Sequence, residues 1–273
     1  MYSLVDKVAL VTGGANGIGA GIVREFLKEN VKFIAILDID QPSGIELVRE
    51  IVSTHGNKRV RFFKCDVTND EELHNIFDKL IEEFGIIDVV VNNAGIFDET
   101  LVTFKKEIAV NYTALVSSTL KALHLMRVDH GGKGGTIINV SSALALTQRA
   151  PIPFVYAGTK SAVLQFSNCM GMDDYYKHTN VRVVTICFGA TDTNMFNTIK
   201  TYDDLIRDAM LHIQNYNQEV NLLQSPNTAA RGVVESYKRG KSGSTWLVNS
   251  SKIYDISDDI HQAYTIMSKY VAF

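Results

Sequence analysis

Six short runs of aliphatic, β-branched and aromatic residues, at 8–11, 33–37, 60–63, 89–91, 136–140 and 181–186, constrain the fold of this chain more than any other feature. They are mostly apolar on both faces, as strands covered on both sides must be. Longer amphipathic stretches separate them. Thr68 with Glu71 forms a capping box ahead of Leu73, Ile76, Phe77 and Leu80, and Gly85 offers a helix stop. Ser225 followed by Pro226 reads as an N-cap with proline at the first helical position. Repeated strand–helix order predicts parallel strands, right-handed crossovers and helices on both faces of the sheet. The expectation is an α/β, doubly wound single domain over residues 1–273.

The segment 190–224 breaks this rhythm. It has no convincing strand but carries Met195, Phe196, Ile199, Leu205, Ile206, Met210, Leu211 and Ile213. An insertion this long in a compact domain points to a lid over an apolar substrate, with packing or subunit contact as the alternative. It should include a short helix over 203–214.

Composition excludes several classes. Charged residues make up 21% of the chain and the net charge is −3, so there is no basic field for nucleic acid or an anionic membrane. No apolar run approaches the roughly 18 residues of a membrane span. Residues 1–7 are mixed in character and lack the apolar core of a signal peptide, so a cytoplasmic location is expected. Cys65, Cys169 and Cys187 are odd in number and widely spaced, which suggests neither disulfides nor zinc; no metal is expected.

Directly after the first strand comes Thr12-Gly13-Gly14-Ala15-Asn16-Gly17-Ile18-Gly19, and then a helical pattern. Glycines there permit a tight turn and let the backbone approach a pyrophosphate, which the start of the helix attracts. The second strand ends at Asp38, where a carboxylate can accept hydrogen bonds from both hydroxyls of an adenosine ribose and would repel a 2′-phosphate. No Arg or Lys lies in the glycine loop or at Ile39. The pattern predicts NAD rather than NADP in a Rossmann fold; the alternative for Asp38 is a helix N-cap. Asp66 closes the third strand and suits the adenine amino group. Asn92-Asn93-Ala94-Gly95 closes the fourth, as a cofactor contact, a turn brace or both. Tyr156 and Lys160 stand four apart, on one face of a helix. A solvated pair is the bland reading. Beside a cofactor, the lysine's charge would favour tyrosinate and make a general base for an alcohol.

Taken in order, TGxxxGxG at 12–19, Asp66, the NNAG at 92–95, Asn111, the serine pair 141–142 and YxxxK at 156–160 resemble the short-chain dehydrogenase/reductases, and the match covers nearly the whole chain. The sequences around Tyr156, Asn111 and Trp246 are most similar to the insect alcohol dehydrogenases, with the NAD-dependent hydroxyprostaglandin dehydrogenases nearly as close. The resemblance implies that Tyr156 is the acid/base, that Lys160 lowers its pKa and holds the nicotinamide ribose, that Ser142 bonds the reacting oxygen, and that Asn111 holds a relay water. Cofactor contacts would come from Gly13, Asn16, Gly17, Ile18, Gly19, Asp38, Asp66, Val67, Asn93, Ala94, Gly95, Tyr156, Lys160, Gly189, Thr191 and Thr193, with Thr193 on the carboxamide.

There are two departures from the family pattern. Ser142 lies fourteen residues before Tyr156 instead of thirteen, which leaves Ser141 as an alternative, and Phe188-Gly189 replaces the family's proline-glycine. The activity implied is NAD-dependent oxidation of an alcohol with an apolar tail. Carbonyl reduction with NADH is the alternative, and a non-catalytic NAD-binding scaffold or storage protein the remote one. A homodimer or homotetramer is implied too, with Leu115, Leu120, Leu164 and Phe166 as candidate contact residues that could equally face the sheet.

Overall fold

All residues of the runs at 8–12, 89–92 and 181–188 are buried, which only a sheet covered on both faces provides. The computed structural model of the chain describes residues 1–148, 151–220 and 222–271. Residues 149–150 of the loop before Tyr156, residue 221 of the expected lid, and 272–273 of the expected domain lie outside the described residues. The strands are β1 Val8–Thr12, β2 Phe33–Asp38, β3 Val60–Lys64, β4 Val89–Asn92, β5 Gly135–Ser142, β6 Val181–Phe188, β7 Thr245–Asn249 and β8 Lys252–Asp255. They form one sheet in the order β3-β2-β1-β4-β5-β6-β7-β8. The helices are α1 Gly17–Lys28, α2 Gln41–His55, α3 Asp70–Phe84, α4 Phe104–Ile108, α5 Ala114–Met126, α6 Phe154–Met170, α7 Asp173–Thr179, α8 Asn194–Asn197, α9 Asp204–Glu219, α10 Pro226–Arg239 and α11 Ser257–Met267. No helix of the described residues is long and apolar enough to cross a membrane.

Strand alternation sorts the core into two layers. Ala9, Val11, Ile34 and Ile36 pack against Ile22, Val23 and Phe26 of α1 and Val233 of α10. Val8, Leu10, Ala35 and Leu37 point the other way, onto Leu73 and Phe77 of α3 and Leu123 and Met126 of α5. Of the residues considered for subunit contact, Leu115 and Leu164 are buried within the chain, Phe166 is half-buried with its ring edge-on to Tyr112, and Leu120 remains 49% exposed.

Two strands go beyond the six read from sequence. β7 adds parallel to β6, and β8 turns back antiparallel on β7. Their hairpin turn places Ser250 and Ser251 at φ 49° and 64°. Left-handed turn positions are usually signalled by glycine or asparagine, and here serines occupy them.

The start of α3 also differs. Asn69, not Thr68, is the cap: its Oδ1 accepts from the Glu71 and Glu72 N–H groups at 3.1 and 3.3 Å, and its Nδ2 donates to Glu72 Oε1. Thr68 is drawn away because its N–H and hydroxyl both donate to Asp66 Oδ1. Asn69→Ala should therefore cost about 1 kcal/mol in chemical denaturation, while Thr68→Ala should disturb Asp66 more than the helix. Ser225 caps α10 with Pro226 at its first position, and Gly85 closes α3 at φ 71°, both as the sequence predicts.

Candidate active site

The strand order reverses between β1 and β4, and the loops leaving the carboxyl ends of the strands there enclose a cavity of about 760 Å³. The glycine turn forms one wall. Gly13 has φ +61°, and a Cβ on it would lie 2.8 Å from the Ala94 Cα, so only glycine lets the β1 and β4 loops close. Asn93 locks the contact by donating to the carbonyls of Thr12 and Gly13, while the Thr12 hydroxyl accepts from the N–H groups of Asn93 and Ala94. Asn93 thus braces the turn and lines the cavity as well.

Helix α1 starts on this wall without a side-chain cap and with no acid in its first turn. Asn16 instead donates to Asp40 Oδ2 at 2.8 Å. Helices α2, α3, α9 and α10 all have side-chain caps. An uncapped helix start carries partial positive charge and unpaired N–H groups, so this end of the cavity suits an anion such as a pyrophosphate.

At the next strand end, Asp38 accepts from Ala15 N–H and Asp40 N–H, each at 3.0 Å. The N-cap of α2 is Asp40, whose carboxylate accepts from Ser43 N–H, so the capping alternative for Asp38 fails. Asp66 lies farther along with Val67, and its two hydrogen bonds from Thr68 hold its carboxyl below the ordinary value.

On the opposite wall, α6 presents Tyr156 and Lys160, and β5 ends in the serine pair. The Ser142 hydroxyl accepts from Leu144 N–H and lines the cavity with the Tyr156 phenol, whose pKa it lowers. Ser141 is turned away, donating to the Lys160 carbonyl at 2.7 Å. Phe97 stacks on Tyr156 with ring centroids 4.5 Å apart and 13° between planes. Gly189, Thr191 and Thr193 form the far rim. A Cβ on Gly189 would overlap the Asn249 side chain, and the Thr193 methyl faces Gly17. Met195, Phe196, Met210 and Ile213 roof this end with apolar surface. Their segment holds α8 and α9, the latter running to Glu219 and longer than the sequence suggested.

Comparison with known proteins shows the family. The family model described as short chain dehydrogenase matches residues 7–204. The chain belongs to the short-chain dehydrogenase family. It is 32% identical over 199 residues to 15-hydroxyprostaglandin dehydrogenase [NAD(+)] of Bos taurus, covering 73% of each chain. To Alcohol dehydrogenase 1 of Ceratitis capitata it is 33% identical over 198 residues, covering 72% of this chain and 75% of the relative. A solved structure described as "Crystal structure of gox2181" superposes with TM-score 0.69 at 22% identity, over 86% of this chain and 89% of that one, and shares the fold.

Two residues of this short-chain dehydrogenase have surroundings that the sequence reading did not foresee. Lys160 does not bring the tyrosine toward neutrality. Burial pushes the Tyr156 phenol up to about 12, against a lowering by Ser142, and pushes Lys160 down to about 8. The lysine stands 5.7 Å from the tyrosine ring centroid, and its Nζ donates to the Val140 carbonyl at 3.1 Å instead of addressing the phenol oxygen. Because Tyr156 is half-buried and lines the cavity, whatever fills the cavity sets how much of that rise the reacting protein feels.

Asn111, the expected holder of a relay water, is the second. It sits in a π turn, Ala109–Thr113, between α4 and α5, and both ends of its carboxamide are taken by Ile96, with Oδ1 accepting at 2.8 Å and Nδ2 donating at 2.9 Å. Its side chain braces the β4 loop and is off the cavity wall. Phe97, Lys106 and Asn217 also line the cavity and were not found from sequence. No spacing distinguishes them from other surface or core residues.

Proposed function

We propose that this short-chain dehydrogenase oxidises an alcohol with an apolar tail, using NAD. The observation that carries the reading is one cavity lined by Ser142, Tyr156 and Lys160, whose other end is an uncapped helix start. The pyrophosphate would lie on Gly13, Asn16, Gly17, Ile18 and Gly19. Asp38 would take the adenosine ribose, Asp66 and Val67 the adenine, and Asn93, Ala94 and Gly95 the middle of the cofactor. Lys160 and Tyr156 would hold the second ribose, and Gly189, Thr191 and Thr193 the carboxamide. Bound NAD supplies the hydride acceptor.

The chain's own residues do the rest. The Ser142 hydroxyl donates to the alcohol oxygen and orients it, and Tyr156, as phenolate, takes the hydroxyl proton as the carbon is oxidised. Holding both groups on rigid β5 and α6 supplies the positioning part of catalysis. The segment 190–224 acts as a lid whose Met195, Phe196, Met210 and Ile213 exclude water and receive the tail. Carbonyl reduction remains a second reading, favoured by the raised Tyr156 pKa, because a protonated phenol is the acid that reduction needs. Association into a homodimer or homotetramer belongs to the same reading.

The NAD preference rests on Asp38 and on the NAD(+) in the name of the relative. Asp38→Ala should raise KM for NAD by about 10-fold, the value of a charge-assisted hydrogen bond, and narrow the gap to NADP. Equal use of both cofactors by the unaltered protein would remove the assignment.

A further inference from the structure

Helix α6 carries Tyr156 in its first turn, where backbone N–H groups have no partner within the helix. The first bond inside α6 runs from Ala157 N–H to the Pro153 carbonyl at 3.0 Å. Pro153 occupies the N-cap position, its ring offers no acceptor, and α6 has no side-chain cap of its own. The tyrosine at the centre of the proposed chemistry therefore stands on a helix end that the helix itself does not hold.

The β4 loop supplies the missing support. Glu99 is 1% exposed, and its Oε2 accepts from the N–H groups of Val155 and Tyr156 at 3.0 and 3.1 Å. One carboxyl from a distant part of the chain thus satisfies two orphan donors, at the helix end where a negative charge is most favourable. Burial raises the Glu99 carboxyl, and the bonds from Tyr156 and Val155 oppose that rise. Two residues earlier in the same loop, the Phe97 ring stacks on the Tyr156 ring at 4.5 Å. One short segment therefore holds Tyr156 twice, by its main chain and by its side chain.

That segment is itself fixed on several sides. Asn111 takes both polar main-chain groups of Ile96, as described above. Glu107 of α4, fully buried, accepts from Asp98 N–H through Oε2 at 3.2 Å. Asp98 pairs with Lys200 at 2.9 Å, and Glu99 N–H donates to the Lys200 carbonyl at 3.0 Å. Residues 96–99 thereby tie the start of α6 to α4, to the π turn and to the segment 190–224.

We propose that Glu99 is a positioning residue for the dehydrogenase reaction: its carboxyl fixes the first turn of α6 and so sets the Tyr156 phenol against the reacting oxygen. The inference rests on Tyr156 being the acid/base. Glu99 does not line the cavity, so it acts through the helix and touches neither cofactor nor substrate. Misplacing a reacting group by about 1 Å costs on the order of 10²-fold in rate, so a loosened first turn is felt in kcat. The glycine turn and Asp38 lie on β1, α1 and β2, and do not depend on this support.

Glu99→Ala should lower kcat for alcohol oxidation by about 10–100-fold and leave KM for NAD unchanged. Glu99→Gln, whose amide oxygen still accepts from both N–H groups, should recover most of that loss. An unchanged kcat in Glu99→Ala would overturn the proposal, as would equal losses in the two variants. A rise in KM for NAD as large as the fall in kcat would mark general damage to the fold and overturn it too. Amide exchange in the cofactor-free full chain gives a readout without turnover. In the unaltered protein the Val155 and Tyr156 amides should be protected like that of Ala157, which has a helical partner. Glu99→Ala should speed exchange at both by at least about 10-fold and leave the rest of α6 protected. Unaltered exchange in the variant would overturn the anchor; so would fast exchange in the wild-type chain, even if the variant fails to fold. Protection at these amides needs no substrate and persists if the dehydrogenase reading fails, whereas that reading falls with an unchanged rate in Tyr156→Phe.

Discussion

Tyr156→Phe is expected to lower NADH formation from an alcohol by roughly 10²–10⁴-fold, the usual worth of a positioned general base, with little loss of stability or of NAD binding. The phenyl ring keeps the stack on Phe97 at 4.5 Å and the packing of α6; only the hydroxyl is lost. Because the phenol is held at about 12 by burial, oxidation in the unaltered protein should gain speed toward alkaline pH, where phenolate is more populated. Reduction of the corresponding ketone should not show that gain. Stopped-flow measurement of both directions across pH, with the variant as control, checks the two expectations together. An unchanged rate in Tyr156→Phe would remove Tyr156 from the chemistry.

Ser142→Ala should lower kcat by about 10²–10³-fold, as loss of one oriented donor to a reacting oxygen does, and should leave KM for NAD nearly unchanged. Ser141→Ala separates the two serines. Its hydroxyl donates to the Lys160 carbonyl and does not face the phenol, so its removal should cost about 1 kcal/mol of stability with kcat retained. Steady-state kinetics beside denaturant titrations of the two variants reads the contrast. A collapse of kcat in Ser141→Ala with normal turnover in Ser142→Ala would reverse the assignment.

The parts of this molecule that were legible in the sequence are those in which neighbours in the chain are neighbours in space. The Thr12–Gly19 turn, Asp38 at a strand end and the Tyr156–Lys160 pair all depend on spacing within one strand, turn or helix. The β7–β8 hairpin escaped because Ser250 and Ser251 take left-handed geometry without glycine or asparagine to announce it. The cap of α3 slipped by one residue because Asp66, fixed by the end of β3, captured Thr68. Harder to see was the balance of electrostatics at Tyr156. A lysine four residues away suggests a lowered pKa, but the pair is enclosed in low dielectric and the lysine addresses a carbonyl on β5, so burial wins. Glu107 left one trace: it heads the buried stripe Glu107, Val110, Asn111, Ala114 at helical spacing, an acid where an apolar residue belongs.

The most direct test of the central claim follows the hydride itself. The protein would be incubated with NAD and a series of secondary alcohols of increasing chain length, each deuterated at the carbinol carbon, and the reduced cofactor examined by mass spectrometry. The account predicts deuterium in the NADH, with turnover rising as the tail lengthens to fill the space under Met195, Phe196, Met210 and Ile213. Tight NAD binding with no label transferred from any alcohol, and none from labelled NADH to the matching ketones, would contradict it.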